Sequence, residues 1–208
     1  MNILNNKVLV IVTEGETDEV FYKKILEVLK LKTPNNYFLV DKIDHICIKG
    51  FGKFDSKLNN ILKDRVKKYK KRYEYTQIDV FLCYDNDVFI GKKNPPINWD
   101  KIEKCLYRNG ANHVYHIVAD KAIEDFILMD FNGVLRYLNI KNTKNNDYKG
   151  HEGLKKLFKK TGKAYIKGSR CDGLLSSLDF GIIEKSICNQ LNPLCKSLGV
   201  TCNKQKNK

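Results

Sequence analysis

Lys7-Val-Leu-Val-Ile-Val-Thr13 runs straight into Glu14-Gly-Glu-Thr-Asp-Glu-Val-Phe21. The first seven residues are an apolar, β-branched run of the kind that forms a buried strand. After them, Val20, Phe21, Ile25, Val28 and Leu29 recur at helical spacing and predict a helix over Thr17–Leu31. Working outward, the same alternation continues. Ile43–Ile48 reads as a second, weaker strand, and Phe54–Tyr73 as a basic helix with Leu58, Ile61, Leu62 and Val66 on its apolar face. Ile78–Tyr84 is a strong third strand. Asp87–Asn98 is a loop, with Gly91 and the pair Pro95-Pro96 inside it. Trp99–Arg108 is a short helix stopped by Asn109-Gly110, Asn112–Val118 a fourth strand, and Ala122–Leu138 a helix with Gly133 as a weak point. Alternating strands and helices predict an α/β fold with a parallel sheet and right-handed crossovers.

Beyond Asn139 the texture changes. Lys141–Tyr148 is polar and reads as a mobile loop. It is followed by a basic helix near Gly153–Lys160, the segment Ala164–Gly168, and a helix near Asp179–Leu198. The chain therefore divides into an α/β core over residues 1–140 and a basic, mainly helical C-terminal extension over 141–208, packed on the core and contributing to its site. Of the net charge of +14, the extension carries +10, from 15 basic and 5 acidic residues. A second basic run spans Lys63–Arg72. Such surfaces suit a polyanion, whose counterions are released on contact, although solvated helix faces can look the same. The seven cysteines are odd in number and form no C-x-x-C pair, so reduced thiols and a cytoplasmic location are expected, even with Cys188, Cys195 and Cys202 seven residues apart. No apolar run approaches the roughly 18 residues of a membrane helix, and Val8–Val12 is too short for a signal peptide.

Two acidic clusters carry the chemistry. Glu14, Glu16, Asp18 and Glu19 follow the first strand, and Asp85-Asn86-Asp87 follows the third. Ligands of open parallel sheets bind beyond the carboxyl ends of the strands, so both clusters should share one edge. Carboxylates gathered there repel unless a cation lies between them, and oxygen-only ligands select magnesium, manganese or calcium over zinc. Each cluster alone has a plainer explanation. Acids in a first helical turn complement the macrodipole, Thr17 can cap that helix, and Asp-Asn-Asp can be a simple turn.

Together, V-L-V-I-V-T-E-G-E-T-D-E-V-F and F-L-C-Y-D-N-D resemble the Toprim domain of topoisomerases, primases and several nucleases, over roughly Val8–Asp130. The E-G-x-x-D spelling is most similar to the branch that includes the overcoming-lysogenization-defect (OLD) nucleases and related phage-defence proteins. The resemblance implies a Toprim-like, Rossmann-like sheet flanked by helices. It implies Glu14, Asp85 and Asp87 as ligands of Mg²⁺ or Mn²⁺, with Asp18 supporting a second ion. Glu124, in Ala122-Ile-Glu-Asp125, resembles a further acidic ligand of this branch; a plain reading makes it an exposed residue of an amphipathic helix. Lys167, in Tyr165-Ile-Lys-Gly168, resembles a late lysine that faces the scissile phosphate; a plain reading makes it one lysine among many.

The implied activity is metal-assisted phosphodiester hydrolysis in DNA or RNA, with one or two ions, Glu16, Asp18 and Glu124 being candidates for the second. Glu14, Asp85, Asp87 and Lys167 would be its catalytic residues. Lys155, Lys156, Lys159, Lys160, Lys163 and Arg170 would hold the nucleic-acid backbone, which positions a substrate without reading its sequence. The chain lacks G-x-x-x-x-G-K-[ST], so any ATPase would be a separate partner subunit. Two rivals stand beside this reading. One is a catalytically silent Toprim-like subunit or adaptor that binds nucleic acid. The other is an aspartyl-phosphate protein, which needs a nucleophilic Asp where this chain has Glu14.

Overall fold

The computed structural model describes residues 6–72, 76–86, 97–120, 122–141, 143–167 and 171–201. Four strands form one parallel sheet in the order β2-β1-β3-β4: β1 (Lys7–Thr13), β2 (Lys42–Cys47), β3 (Gln77–Asp85) and β4 (His113–Ala119). The two central strands are the two with the longest apolar runs, as burial on both faces requires. The fold is thus α/β with a parallel sheet flanked by helices, in line with a Rossmann-like arrangement.

Side-chain alternation sorts each strand between two cores. Val8, Val10 and Val12 of β1, with Ile78, Val80 and Leu82 of β3, pack against α2 (Phe54–Arg72) and α3 (Trp99–Arg108). Leu9, Ile11, Phe81 and Cys83 face the opposite way. There they meet α1 (Glu16–Leu31), α4 (Ile123–Ile127) and α5 (Phe131–Leu138). The same cluster takes in α6 (Gly150–Lys160), α7 (Asp172–Ser177), α8 (Phe180–Ser186) and α9 (Cys188–Leu198). The C-terminal helices therefore complete the core of the sheet and do not form a second one. Asp79 and Asp85 project to this face too, at opposite ends of β3.

Several expectations need correction. The helix expected over Ala122–Leu138 is broken into α4, a 3-10 turn at Leu128–Asp130, and α5. Asp130 causes the break: its Oδ1 accepts from Gly133 N at 3.0 Å and its Oδ2 from Asp179 N at 2.7 Å. A Cβ at Gly133 would lie 2.0 Å from that carboxylate, so glycine is required there. The helix expected over Asp179–Leu198 is two, parting at Ile187 (φ −106°, ψ 19°), and α7 was not foreseen. The polar stretch before α6 holds a 3-10 turn at Asn145–Asp147, and Tyr148 packs on Phe131.

Cys47, Cys83, Cys105, Cys171 and Cys188 are in no disulfide, but Cys195 is disulfide-bonded, against the expectation of seven reduced thiols. Gly199, in the left-handed region (φ 72°), turns the chain back so that Val200 N donates to Cys195 O at 2.8 Å. That turn lays Val200 against the last turn of α9, beside Cys195. Among the described residues no helix is long and apolar enough to cross a membrane.

Candidate metal and phosphate site

The carboxyl ends of β1 and β3 and the start of α4 surround one cavity of about 660 Å³. Glu14, Glu16, Asp18, Asp85 and Glu124 line it, together with Lys49 and Lys167. Five acidic residues from three separate stretches of sequence thus meet at one edge of the sheet, as the strand-end rule requires. Asp87 and Arg170, also expected to act here, lie outside the described residues.

Asp85 ends β3 with 6% of its surface exposed. Its Oδ1 accepts from Ile123 N at 2.7 Å, at the start of α4, and its Oδ2 lies 3.1 Å from Lys167 Nζ. Burial pushes its carboxyl up to about 7, against the pull of Lys167 and with a further push from Glu124 and Glu14. Asp18 accepts from Gly15 N at 2.7 Å, a capping contact at the start of α1. Its carboxyl is pushed up to about 8, first by burial and then by the negative charges of Asp85, Glu14 and Glu124. The cavity thus concentrates negative charge.

Glu124 is fully buried, which overturns its reading as an exposed residue of an amphipathic helix. Its neighbour Asp125 takes the capping role, accepting from Ala122 N at 3.2 Å, and so leaves Glu124 free to turn inward. Its Oε1 accepts from the Tyr165 hydroxyl at 2.9 Å and lies 3.4 Å from His151 Nδ1. Its Oε2 is buried with no partner among the described residues. An unpaired buried carboxylate oxygen is costly, and oxygen donors of this kind fit Mg²⁺ or Mn²⁺. Even so, no three His, Cys, Asp or Glu side chains among the described residues are grouped as a metal site.

Lys167 lines the cavity, paired to Asp85. Sequence reasoning missed Lys49. It sits in the left-handed region (φ 60°) and its Nζ meets Glu16 Oε1 at 2.7 Å. Gly50 next to it (φ 123°) donates to Glu14 O at 3.0 Å, which ties the β2–α2 loop to the cavity. The signal was present: Ile48-Lys49-Gly50 repeats the triplet Ile166-Lys167-Gly168. Tyr165, which holds Glu124, and His151, which lies beside it, were also missed. The hydroxyl of Tyr165 is held well above its ordinary pKa by burial and the adjoining Glu124.

Lys155, Lys156, Lys159 and Lys160 lie on the exposed face of α6, with Leu154, Leu157 and Phe158 buried behind them. Lys163 is exposed after the helix, its Nζ 5.3 Å from the Tyr137 ring. They form a surface separate from the cavity lining but joined to it through α6, whose His151 touches Glu124.

No family model, curated protein or solved structure matches this chain. What the cavity can do is therefore read from its own side chains.

One consequence is thermodynamic. In metal-free buffer the folded chain holds protons on Asp85 and Asp18 up to about pH 7 and 8. The unfolded chain releases them near pH 4 (about 3.9 for a free Asp). The folded state therefore binds more protons in this window, and stability falls as pH rises from about 4 to about 8. Asp18→Asn is expected to raise stability at pH 8 by about 1–2 kcal/mol, and to change little at pH 4. Thermal melts in EDTA across this range would show it; equal gains at both pH values would refute it.

Proposed function

We propose that the chain is a nuclease dependent on Mg²⁺ or Mn²⁺, hydrolysing phosphodiester bonds in DNA or RNA. The observation that carries this reading is the buried, unpartnered Oε2 of Glu124 in a cavity it shares with Glu14, Asp18 and Asp85. The Toprim-like resemblance supports it, with Asp87 a further ligand, and adds a cytoplasmic setting in phage defence or a mobile element. A separate ATPase subunit is the candidate partner.

Glu14, Asp18, Asp85 and Glu124 would hold the ion. When bound, such an ion polarises a phosphoryl oxygen and makes water a better nucleophile at neutral pH. The chain's own groups do the rest. Tyr165 fixes the Glu124 carboxylate in place, with His151 beside it. Lys167, on the cavity wall, meets a phosphate oxygen and offsets charge that builds in the transition state. The lysines of α6 hold the flanking backbone.

The silent-subunit reading has one observation in its favour: among the described residues the acids line the cavity without grouping three together as a metal site. One experiment separates the two. Plasmid, single-stranded DNA and tRNA are incubated with the protein in Mg²⁺, Mn²⁺ or EDTA. The nuclease reading expects products with either metal and none in EDTA. Intact substrates with every metal, alone and with a candidate ATPase, would leave the silent subunit.

A further inference from the structure

Tyr148 occupies a position that the cavity chemistry does not use. Its ring stands on Phe131, with centroids 5.7 Å apart and planes inclined by 33°. Lys160 reaches over the ring, its Nζ 5.1 Å from the centroid. Beside them opens a second, shallower cavity of about 330 Å³, lined by Asp147, Tyr148, Lys156, Lys159 and Lys160.

The position of Tyr148 is built into the backbone. Tyr148 N donates to Asn145 O at 3.1 Å, closing the 3-10 turn, and the chain then crosses the first turns of α6. A Cβ on Gly153 would lie 2.7 Å from the carbonyl carbon of Tyr148 and 2.9 Å from its Cα. Glycine at 153 is therefore what lets the tyrosine sit against α6. Lys156, Lys159 and Lys160, three and four residues apart, share one exposed face of that helix.

We infer that this cavity is a subsite for one unpaired nucleotide of a single-stranded substrate, its base packed on Tyr148 and its phosphate held by Lys156, Lys159 and Lys160. The inference rests on the nuclease reading and names the substrate class of that site. Magnitudes favour a stacked base over the resting contact. An exposed cation–π contact contributes about 0.5–1 kcal/mol, whereas base–aromatic stacking contributes about 1–3 kcal/mol per base. A base can thus displace Lys160 from the ring, and the freed ammonium meets the phosphate. Asp147 disfavours a second phosphate in the cavity and offers an acceptor to a base amino group.

A duplex does not fit this chemistry. Its bases are already stacked and paired, so it would engage the lysines and leave the ring unused. The distance to the metal site also suits a strand. His151, in the first turn of α6, touches Glu124, and Lys159 lies eight residues further on. At about 1.5 Å per residue that is about 12 Å, within the reach of a few nucleotides of one strand.

The test is fluorescence anisotropy with the full chain in EDTA, so that nothing is cleaved. The probes are a labelled thymidine 12-mer, an abasic 12-mer with the same phosphates, and a 12-base-pair hairpin. Wild type should bind the thymidine strand at least fivefold more tightly than either of the others. Tyr148→Ala should lose about tenfold on the thymidine strand and little on the abasic one, while Tyr148→Phe keeps wild-type affinity. Equal wild-type affinity for thymidine and abasic strands overturns the subsite, and needs no variant to fold. So does a Tyr148→Ala loss that is the same on both. Because binding is read without metal, absence of cleavage would remove the nuclease and leave this result standing. Cleavage without base dependence would do the reverse.

Discussion

Lys167→Met is expected to cut turnover by about 10²–10³ at saturating substrate, the loss typical of removing one transition-state donor. Substrate binding should change far less, because the α6 lysines hold the backbone elsewhere. The substitution has a second effect that must be separated. Lys167 also pulls the Asp85 carboxyl down against its burial, so its loss leaves Asp85 more fully protonated and less able to hold a cation. The two causes respond oppositely to pH. If protonation of Asp85 is the defect, raising the pH to about 9 restores activity, since the carboxyl then ionises. If the phosphate contact is the defect, activity stays low at every pH. Glu14→Gln should abolish cleavage through the metal and leave circular-dichroism spectra unchanged. A Lys167→Met protein that turns over at the wild-type rate at pH 7 would remove the lysine from the mechanism.

Asp79→Ala should destabilise the protein by about 3 kcal/mol, the lower end for breaking a buried ion pair. For a chain of this size that is a fall of about 6–12 °C in melting temperature. Asp79 is 1% exposed at the opposite end of β3 from the cavity. Lys7 Nζ lies 2.9 Å from its Oδ2, Gln77 Nε2 donates to its Oδ1 at 2.9 Å, and His113 Nδ1 lies 2.9 Å from that same oxygen. Ser197 donates to its Oδ2 from α9. One carboxylate thus joins β1, β3, β4 and α9. The lower figure applies because Lys7 and His113 are partly exposed and can turn to water. Its hydrogen bonds hold the Asp79 carboxyl below the usual range despite its burial, so its stabilisation is present above about pH 4 and is lost on acidification. Asp79→Asn keeps part of the network and should lose less. Urea unfolding would measure both, and a loss under 1 kcal/mol for the alanine variant would show the network to be incidental.

The strands were legible because the pattern is unmixed. Lys7–Thr13 coincides with its predicted bounds, and β2, β3 and β4 lie within one residue of theirs at each end. Trp99–Arg108 was legible for a similar reason: a clean amphipathic turn stopped by Asn-Gly. What failed depended on distant partners. The break at Asp130 is set by a bond to Asp179, 49 residues away, which no local propensity encodes. The strand-end acids Glu14, Asp18 and Asp85 were found from their place after strands. Glu124 was found from resemblance alone, because its burial depends on Tyr165, 41 residues later. Lys49 was missed although its Ile-Lys-Gly triplet recurs at Ile166–Gly168, because only the fold of the β2–α2 loop brings it to the cavity.

The C-terminal helices that complete the core also set a schedule for the ribosome. Once Ala119 has been made, all four strands exist, but the face bearing Leu9, Ile11 and Phe81 has yet to receive Leu154, Leu157, Leu191 and Leu198. At roughly 5–20 residues per second, the wait for Val200 is about 4–16 s. During that interval a nascent chain presents an apolar face that α1, α4 and α5 cover only in part, the kind of surface that chaperones capture and that aggregates nucleate on. A message truncated after α5 would therefore yield an insoluble product, not a smaller working domain.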